Sequence, residues 1–188
     1  MNKNSKNNLI LFSILLVLII FKITKDRSNY TVSDKIFEIN KDKINKILLH
    51  KGIDAIELIK ENEKWQIAGY DTFVVKENRM SDFFDKVLDT KKETLVSDKK
   101  AKWTVLSVDD STGTHLALYD KSNNKLGYYV FGRSKKDWKH NYVRIDQEPH
   151  VYLTNQNIIN SLNPRDSFWG EMPKPIEVDS LESISIDN

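Results

Sequence analysis

The sequence contains no cysteine, which excludes disulfide bonds, thiolate zinc sites and thiol nucleophiles. It also excludes lipid attachment through a cysteine after the apolar N-terminal segment. Glycine and proline are scarce, with 6 and 4 copies, which argues against fibrous and low-complexity classes. Charged residues make up 30% of the 188 residues and apolar residues 39%, so most of the chain is expected to fold as one domain with a tail or anchor.

Most of the chain also lacks a net positive charge. Five basic residues and one acidic residue give residues 1–30 a charge of +4, so the overall charge of +2 leaves −2 on residues 31–188. A nucleic-acid-binding domain normally carries its positive charge on the fold itself. We therefore expect no DNA or RNA partner.

The chain has one long apolar run, from Leu9 to Phe21, and a basic start precedes it. This arrangement is typical of a secretion signal. No Ala-x-Ala-like cleavage site follows, however, and Ile23 extends the apolar span past Lys22. We expect an uncleaved signal anchor, with a cleaved signal and a buried core helix as the alternatives.

The expected layout is a cytoplasmic basic tail at 1–8, a transmembrane signal anchor at 9–24, a linker at 25–34 and a folded domain at 35–172. Basic residues flank both ends of the apolar run, and the signal-like arrangement favours a cytoplasmic N-terminus. The sequence thus predicts a single-pass membrane protein whose C-terminal domain is extracytoplasmic.

The first half of the folded region predicts strands, a β-hairpin and an amphipathic helix. An opening strand at Ile36 and Phe37 and a strand over 44–49 precede IDAIELIKENEKWQIAG, in which apolar and polar residues alternate on both sides of a turn at 61–64. In KENRMSDFFDKVLDTKKE, apolar residues recur at helical spacing, at Met80, Phe83, Phe84, Val87 and Leu88.

The second half predicts a meander of four short strands, THLALYD, KLGYYVFG, NYVRID and VYLT, separated by turn-forming residues. In the second strand, Tyr128 and Val130 are expected to face the core. A short helix is expected in TNQNIINSLNP, capped by Thr154 or Asn155 and ended before Pro164. The order hairpin, helix, meander, helix predicts an α+β fold, a mostly antiparallel sheet with helices on one face.

Two features near the C-terminus complete this prediction. Phe168 and Trp169 are expected to plug the core. Apolar positions in residues 173–188 follow a pattern similar to that of the first strands. They form either a strand that closes the sheet edge, the preferred interpretation, or the start of a truncated second unit.

An ordered set of stretches resembles the bacterial family called domain of unknown function 4340, over roughly residues 36–170. The most specific parts are the Gly-Thr before a strand, FGR, YVR and VYL. The resemblance implies a membrane-anchored extracytoplasmic protein of the bacterial cytoplasmic (inner) membrane. Some family members are similar to auxiliary components of ABC transporters, including gliding-motility types. The family offers no agreed catalytic residues.

The stretch from Asp109 to His115 gathers acids, hydroxyls and an imidazole, yet it matches no catalytic template. Gly113 lies three residues after Asp110, which does not fit an aspartyl-protease loop, and no alternating oxygen ligands indicate a calcium loop. Neighbouring residues seldom build a Ser-His-Asp triad. We interpret the stretch as a turn that leads into a strand.

No cofactor or metal site is expected, because the four histidines share no short ligand spacing. His50 and His115 are interpreted as ordinary surface residues on strands. No catalytic residue is assigned, and the chain is not expected to be an enzyme.

The candidate binding surface is the loop GRSKKDWKHNYVR, in which basic residues surround a tryptophan. It could hold an acidic glycan, a phospholipid headgroup or an acidic protein, with the indole as anchor. The alternative is a solvated loop whose tryptophan folds back on the sheet. The candidate residues are Arg133, Lys135, Lys136, Trp138, Lys139 and Arg144.

The expected function is therefore a non-enzymatic binding or scaffold domain in the cell envelope, auxiliary to a transporter or another assembly and contacting a protein partner. One alternative is an envelope carbohydrate-binding module or hydrolase that uses the Trp138 loop. A second alternative is a structural module that self-associates through edge strands.

Overall fold

The computed structural model describes residues 34–69, 74–135 and 137–170, together with Leu15. The chain divides into two units, Met1–Asp34 and Lys35–Asn188. Only Leu15 and Asp34 are described in the first unit, so the architecture below is that of the second.

Eight strands form one sheet in which every neighbouring pair is antiparallel. The order across the sheet is β3-β2-β1-β5-β6-β7-β8-β4. The strands are β1 (Lys46–Lys51), β2 (Asp54–Glu61), β3 (Lys64–Ile67), β4 (Lys92–Ser97), β5 (Thr114–Tyr119), β6 (Lys125–Arg133), β7 (Asn141–Ile145) and β8 (Val151–Thr154). The predicted hairpin and meander are both present, and β1 joins them by pairing with β2 on one side and β5 on the other.

Helices are few and short. Helix α1 (Glu77–Asp82) continues into a π-helical turn over Phe83–Val87, and α2 spans Asp166–Trp169. Single 3-10 turns cover Lys41–Lys43, Lys100–Lys102 and Ile159–Ser161. The fold is thus a mostly antiparallel eight-stranded sheet with few helices.

One face of the sheet carries the main apolar core. Alternate residues of β1, β2, β5 and β6 point into it, because side chains along a strand alternate between faces. Residues of both helices reach the same core, and Trp169 is fully buried there, as predicted. The strand residues in this cluster include Ile47, Leu49, Leu58, Leu116, Leu118, Tyr129 and Phe131.

The opposite face is covered by the segment that precedes β5. Val108 packs there with Val130 and Val151, beside the half-buried Trp103. Gly132 permits the close approach, since a Cβ atom at that position would lie 2.2 Å from the Leu106 carbonyl oxygen.

Tyr128 and Val130 do face a buried cluster, as predicted for β6, but this is the smaller of the two. Tyr129 and Phe131 point into the main core, whereas Tyr128 and Val130 belong to the smaller cluster on the other side. The sequence shows alternation but does not reveal which of the two buried faces is the larger.

The segment TNQNIINSLNP holds only one 3-10 turn, so the predicted helix is corrected. Thr154 ends β8, where its Oγ1 accepts a hydrogen bond from the Asn141 backbone N–H at 2.7 Å. The N–H groups of Ile158 and Ile159 donate to the side-chain oxygen of Asn141, and not to Thr154 or Asn155 as a helix cap would require. Tertiary hydrogen bonds therefore replace the expected cap.

Strand β4 was not predicted. It is an edge strand whose Leu95 and Val96 are both exposed, and its pairing with β8 contains two register shifts. It therefore lacks the alternation that reveals a half-buried strand.

Within the described ranges, no helix has the length and apolar character needed to cross a membrane. Apart from Leu15 and Asp34, the predicted tail, anchor and linker lie outside the described residues, as does the predicted strand at 173–188.

Candidate binding site

The loop that joins β6 to β7 is described at residues 134–135 and 137–140, and a chain of polar contacts holds these residues. Ser134 Oγ accepts from the Asp137 N–H at 3.1 Å, and Asp137 Oδ1 accepts from the Lys139 N–H at 2.8 Å. His140 contacts Asp137 through Nδ1 and lies 3.4 Å from Glu93 of β4 through Nε2. These contacts connect the loop to the sheet edge.

Trp138 is 78% exposed, which contradicts the interpretation that it folds back on the sheet. Its backbone carbonyl accepts from Asn157, so the exposed indole extends from a fixed backbone. Lys139 Nζ lies 5.9 Å from the indole centroid, and Lys135 is exposed nearby in the sequence. Lys136 lies outside the described residues.

The two predicted arginines lie on opposite faces of the sheet. Arg133 pairs with Asn141 at the end of β6 and is exposed on the side of the main core. Arg144 pairs with Val130, and its side chain is fully buried on the other side. Arg144 therefore does not belong to the surface around Trp138, because one residue of register decides the face.

Arg144 instead connects the segments that flank β5 and β7. Its Nε donates to the Val108 carbonyl at 2.8 Å, Nη1 donates to the Asp146 carbonyl, and Nη2 donates to Asp110 Oδ1 at 2.8 Å. The guanidinium carbon lies 4.0 Å from the Trp103 ring centroid. The planar, permanently charged fork suits this set of acceptors and the stacked indole.

Beside Arg144, two histidines stack across β1 and β5. The rings of His50 and His115 are 4.0 Å apart and nearly parallel, at 6°. Nδ1 of His115 lies 2.6 Å from the Tyr128 hydroxyl, and its buried Nε2 has no hydrogen-bond partner among the described residues. His115 is only 2% exposed, so its interpretation as a surface residue is corrected.

Burial and the neighbouring His50 lower the pKa of His115 to about 4, against the opposing effect of Asp110. His115 is therefore neutral at physiological pH. Burial likewise raises the pKa of the Tyr128 hydroxyl. An imidazole with so low a pKa is a weak base, which does not favour general-base catalysis.

A depression of about 330 Å³ opens beside this histidine pair. Its lining includes His50, Asp110, His115, Lys125, Tyr128 and Asp146. Across the described ranges, no group of three or more His, Asp or Glu side chains is arranged to hold a metal ion.

The stretch that begins at Asp109 is a turn, as predicted. The Asp109 carboxylate accepts from the N–H and hydroxyl groups of both Ser111 and Thr112. Although burial opposes ionisation, these hydrogen bonds lower the pKa of Asp109 well below its usual range. The carboxylate thus closes its own turn and leaves its neighbour Asp110 to bind Arg144.

Sequence reasoning missed the group formed by His115, Tyr128 and Arg144. Two of the stretches that carry the family resemblance contained residues that could have indicated this group. Thr114 follows a glycine whose Cβ would collide with Val130, and YVR contains Arg144. Arg144 of YVR and the Val130 side chain that packs against Gly113 lie on the buried polar face, whereas FGR ends at Arg133, where the Trp138 loop begins.

Comparison with known proteins supports the same resemblance. The sequence model of the family described as Domain of unknown function (DUF4340) matches residues 65–185. The chain belongs to the DUF4340 family. Neither the search of curated proteins nor the search of solved structures gave a match.

The DUF4340 match begins in β3, yet the sheet is larger than the matched region. Strand β1 lies outside the match and separates β2 from β5 in the sheet. The match includes Trp138, Arg144 and His115 but leaves out His50. The histidine stack therefore joins a residue inside the family region to one outside it.

Proposed function

We propose that this DUF4340 protein is a non-enzymatic binding or scaffold domain, held at the bacterial cytoplasmic membrane by its N-terminal segment and auxiliary to a transporter or another envelope assembly. The Trp138 loop is its contact surface. The single observation that supports this proposal is an indole that is 78% exposed on a loop fixed by hydrogen bonds.

An exposed tryptophan of this kind is suited to binding. Exposure of a large ring to water is unfavourable for an isolated domain, and tryptophan is enriched among the residues that dominate interface energies. A fixed backbone lowers the conformational entropy that binding would otherwise cost. Lys139, whose Nζ lies 5.9 Å from the indole centroid, adds positive charge beside the ring, and Lys135 is exposed on the same loop, which suits an acidic partner surface.

The proposal is tested with a photo-crosslinking amino acid at position 138 of the full-length protein in native membranes. The matched control places the same amino acid at Val105, which is 63% exposed on another segment. We expect a discrete covalent adduct with a second protein from position 138 and none from position 105. Equal labelling from both positions, or none from position 138, would contradict the proposal.

The same experiment separates the two alternatives. An adduct of twice the chain mass would indicate self-association, and a polydisperse adduct that a glycosidase shortens would indicate a carbohydrate ligand. A carbohydrate ligand is compatible with the exposed ring, because sugars stack on aromatic faces. In that case Trp138→Phe would retain much of the binding that Trp138→Ala loses.

A further inference from the structure

Three basic residues are among those that line a second depression, of about 300 Å³, on the face of the main core. Lys51 ends β1, Arg133 ends β6, and Arg165 precedes α2. Antiparallel pairing through β5 brings the ends of β1 and β6 to the same end of the sheet. Buried Thr114, at the start of β5, lines the depression between them.

The charges around this depression are not balanced. Among the described residues, Asp54 is the only acidic one in its lining, and its Oδ2 lies 3.6 Å from Arg165 Nε. Among the described residues, Lys51 and Arg133 make no ion pair within 4.0 Å. Three positive charges therefore face one negative charge, which repels cations and attracts an anion.

We propose that this depression, defined by Lys51, Arg133 and Arg165, binds a phosphate group. Two guanidinium groups on separate elements suit an anion with several oxygens, since each can donate two parallel N–H bonds to it. A lysine at the rim adds a mobile third donor. Neither Trp138 nor Lys139 lines the depression, so this site is separate from the Trp138 loop.

The first test titrates inorganic tripolyphosphate into the full-length protein in neutral detergent and follows binding by calorimetry. We expect saturable binding that Arg133→Gln and Arg165→Gln each weaken about fivefold or more. Lys135→Gln is the matched control, since Lys135 is exposed two residues from Arg133 but does not line the depression. Its effect should stay within about twofold.

A variant of opposite sign makes the test stricter. Asp54→Asn keeps the side-chain shape, removes the carboxylate that lies 3.6 Å from Arg165 and releases this arginine, so it should tighten tripolyphosphate binding about threefold. All three substituted residues of the site are at least partly exposed, and unchanged thermal midpoints would show that the fold is intact. No saturable binding, or equal losses in Arg133→Gln and Lys135→Gln, would overturn the site.

A phosphate group could come from a soluble anion or from a lipid headgroup. Ile53, between Lys51 and Asp54, is 101% exposed and could enter a headgroup layer. In nanodiscs, phosphatidylglycerol should then weaken tripolyphosphate binding relative to phosphatidylcholine, and Ile53→Ser should restore it. Equal affinity in both nanodiscs assigns the site to a soluble anion.

Only the nanodisc comparison rests on the proposed membrane anchoring. The detergent titration stands without it, and Trp138→Ala should leave tripolyphosphate affinity unchanged. Failure of the phosphate site and failure of the Trp138 surface are therefore distinguishable.

Discussion

The two faces of the sheet are buried by different kinds of interaction. On one face, apolar side chains such as Leu49, Leu118 and Phe131 fill a core with both helices. On the other face, Arg144 and His115 are as deeply buried but depend on named partners, the carbonyls and carboxylate around Arg144 and the hydroxyl of Tyr128.

This difference determines how each face tolerates change. Apolar burial is non-directional, so a core position accepts another apolar residue of similar volume at modest cost. A buried polar group stabilises the fold only while its hydrogen bonds are made, and loss of one partner leaves the others unsatisfied. The polar face should therefore tolerate fewer substitutions than the apolar face, and its stability should depend more strongly on pH.

The largest expected effect is on the apolar face. Phe131 is fully buried, so Phe131→Ala should lower the free energy of unfolding by about 4 kcal/mol through lost burial and a cavity. Phe131→Leu, the conservative control, should cost clearly less. Urea denaturation of the full-length protein in detergent measures both, and similar losses for the two variants would show that volume does not govern this face.

Arg144→Ala should cost about 3 kcal/mol, because it leaves the buried Val108 carbonyl without its donor and removes the fully buried guanidinium packed on Trp103, whereas the exposed Asp110 carboxylate regains water. Arg144→Lys keeps the charge but not the planar fork, and it should recover only part of the loss. If Lys recovered full stability in the same denaturation experiment, charge alone would explain the site.

Acid should destabilise the polar face selectively. His115 has a pKa of about 4 in the folded protein against 6.5 when unperturbed, so the unfolded chain binds the proton first as pH falls. Stability should therefore drop by about 2 kcal/mol between about pH 8 and pH 5. The contribution of neutral His115 to stability is present in full above pH 6.5, the pKa in the unfolded chain, and is lost as the pH falls toward about 4, the pKa in the folded protein.

His115→Gln removes that titration and should flatten the stability profile in this window. Asp109 provides an internal contrast, because its lowered pKa moves its contribution to more acidic pH. An unchanged slope above about pH 5 in His115→Gln would show that other groups cause the acid sensitivity.

The smallest effect is expected at the exposed indole. Trp138→Ala should change the free energy of unfolding by no more than about 0.5 kcal/mol, because little of its surface is buried in the fold. The variant should nevertheless abolish the crosslinked adduct of a neighbouring position on the loop, such as Lys139. A large loss of stability would instead indicate that the ring supports the domain.

Much of the chain was predictable from local pattern. The alternation of Ile56 and Leu58 revealed β2, and the turn chemistry of Asp109 was correctly interpreted. Edge strand β4 was missed, because exposed Leu95 and Val96 stand side by side and give no periodic signal. Thr154 has the chemistry of a helix cap, but the structure uses it to bind Asn141.

The candidate site divides in the same way. Composition indicated a basic loop around Trp138, and the structure shows that this indole is exposed. The sequence could not assign Arg133 and Arg144 to opposite faces, nor bring Lys51, Arg133 and Arg165 to one depression. Both depend on register between strands that are distant in the sequence.

The sequence by itself determined the strand-rich character of the domain, its principal turns, its apolar positions and its membership of the DUF4340 family. Only the tertiary structure decided which face holds the larger core, that His115 stacks on His50, and that Arg144 is buried while Trp138 is exposed. Periodicity and turn chemistry are local properties of the chain. Burial, charge balance and pKa depend on which distant strands become neighbours.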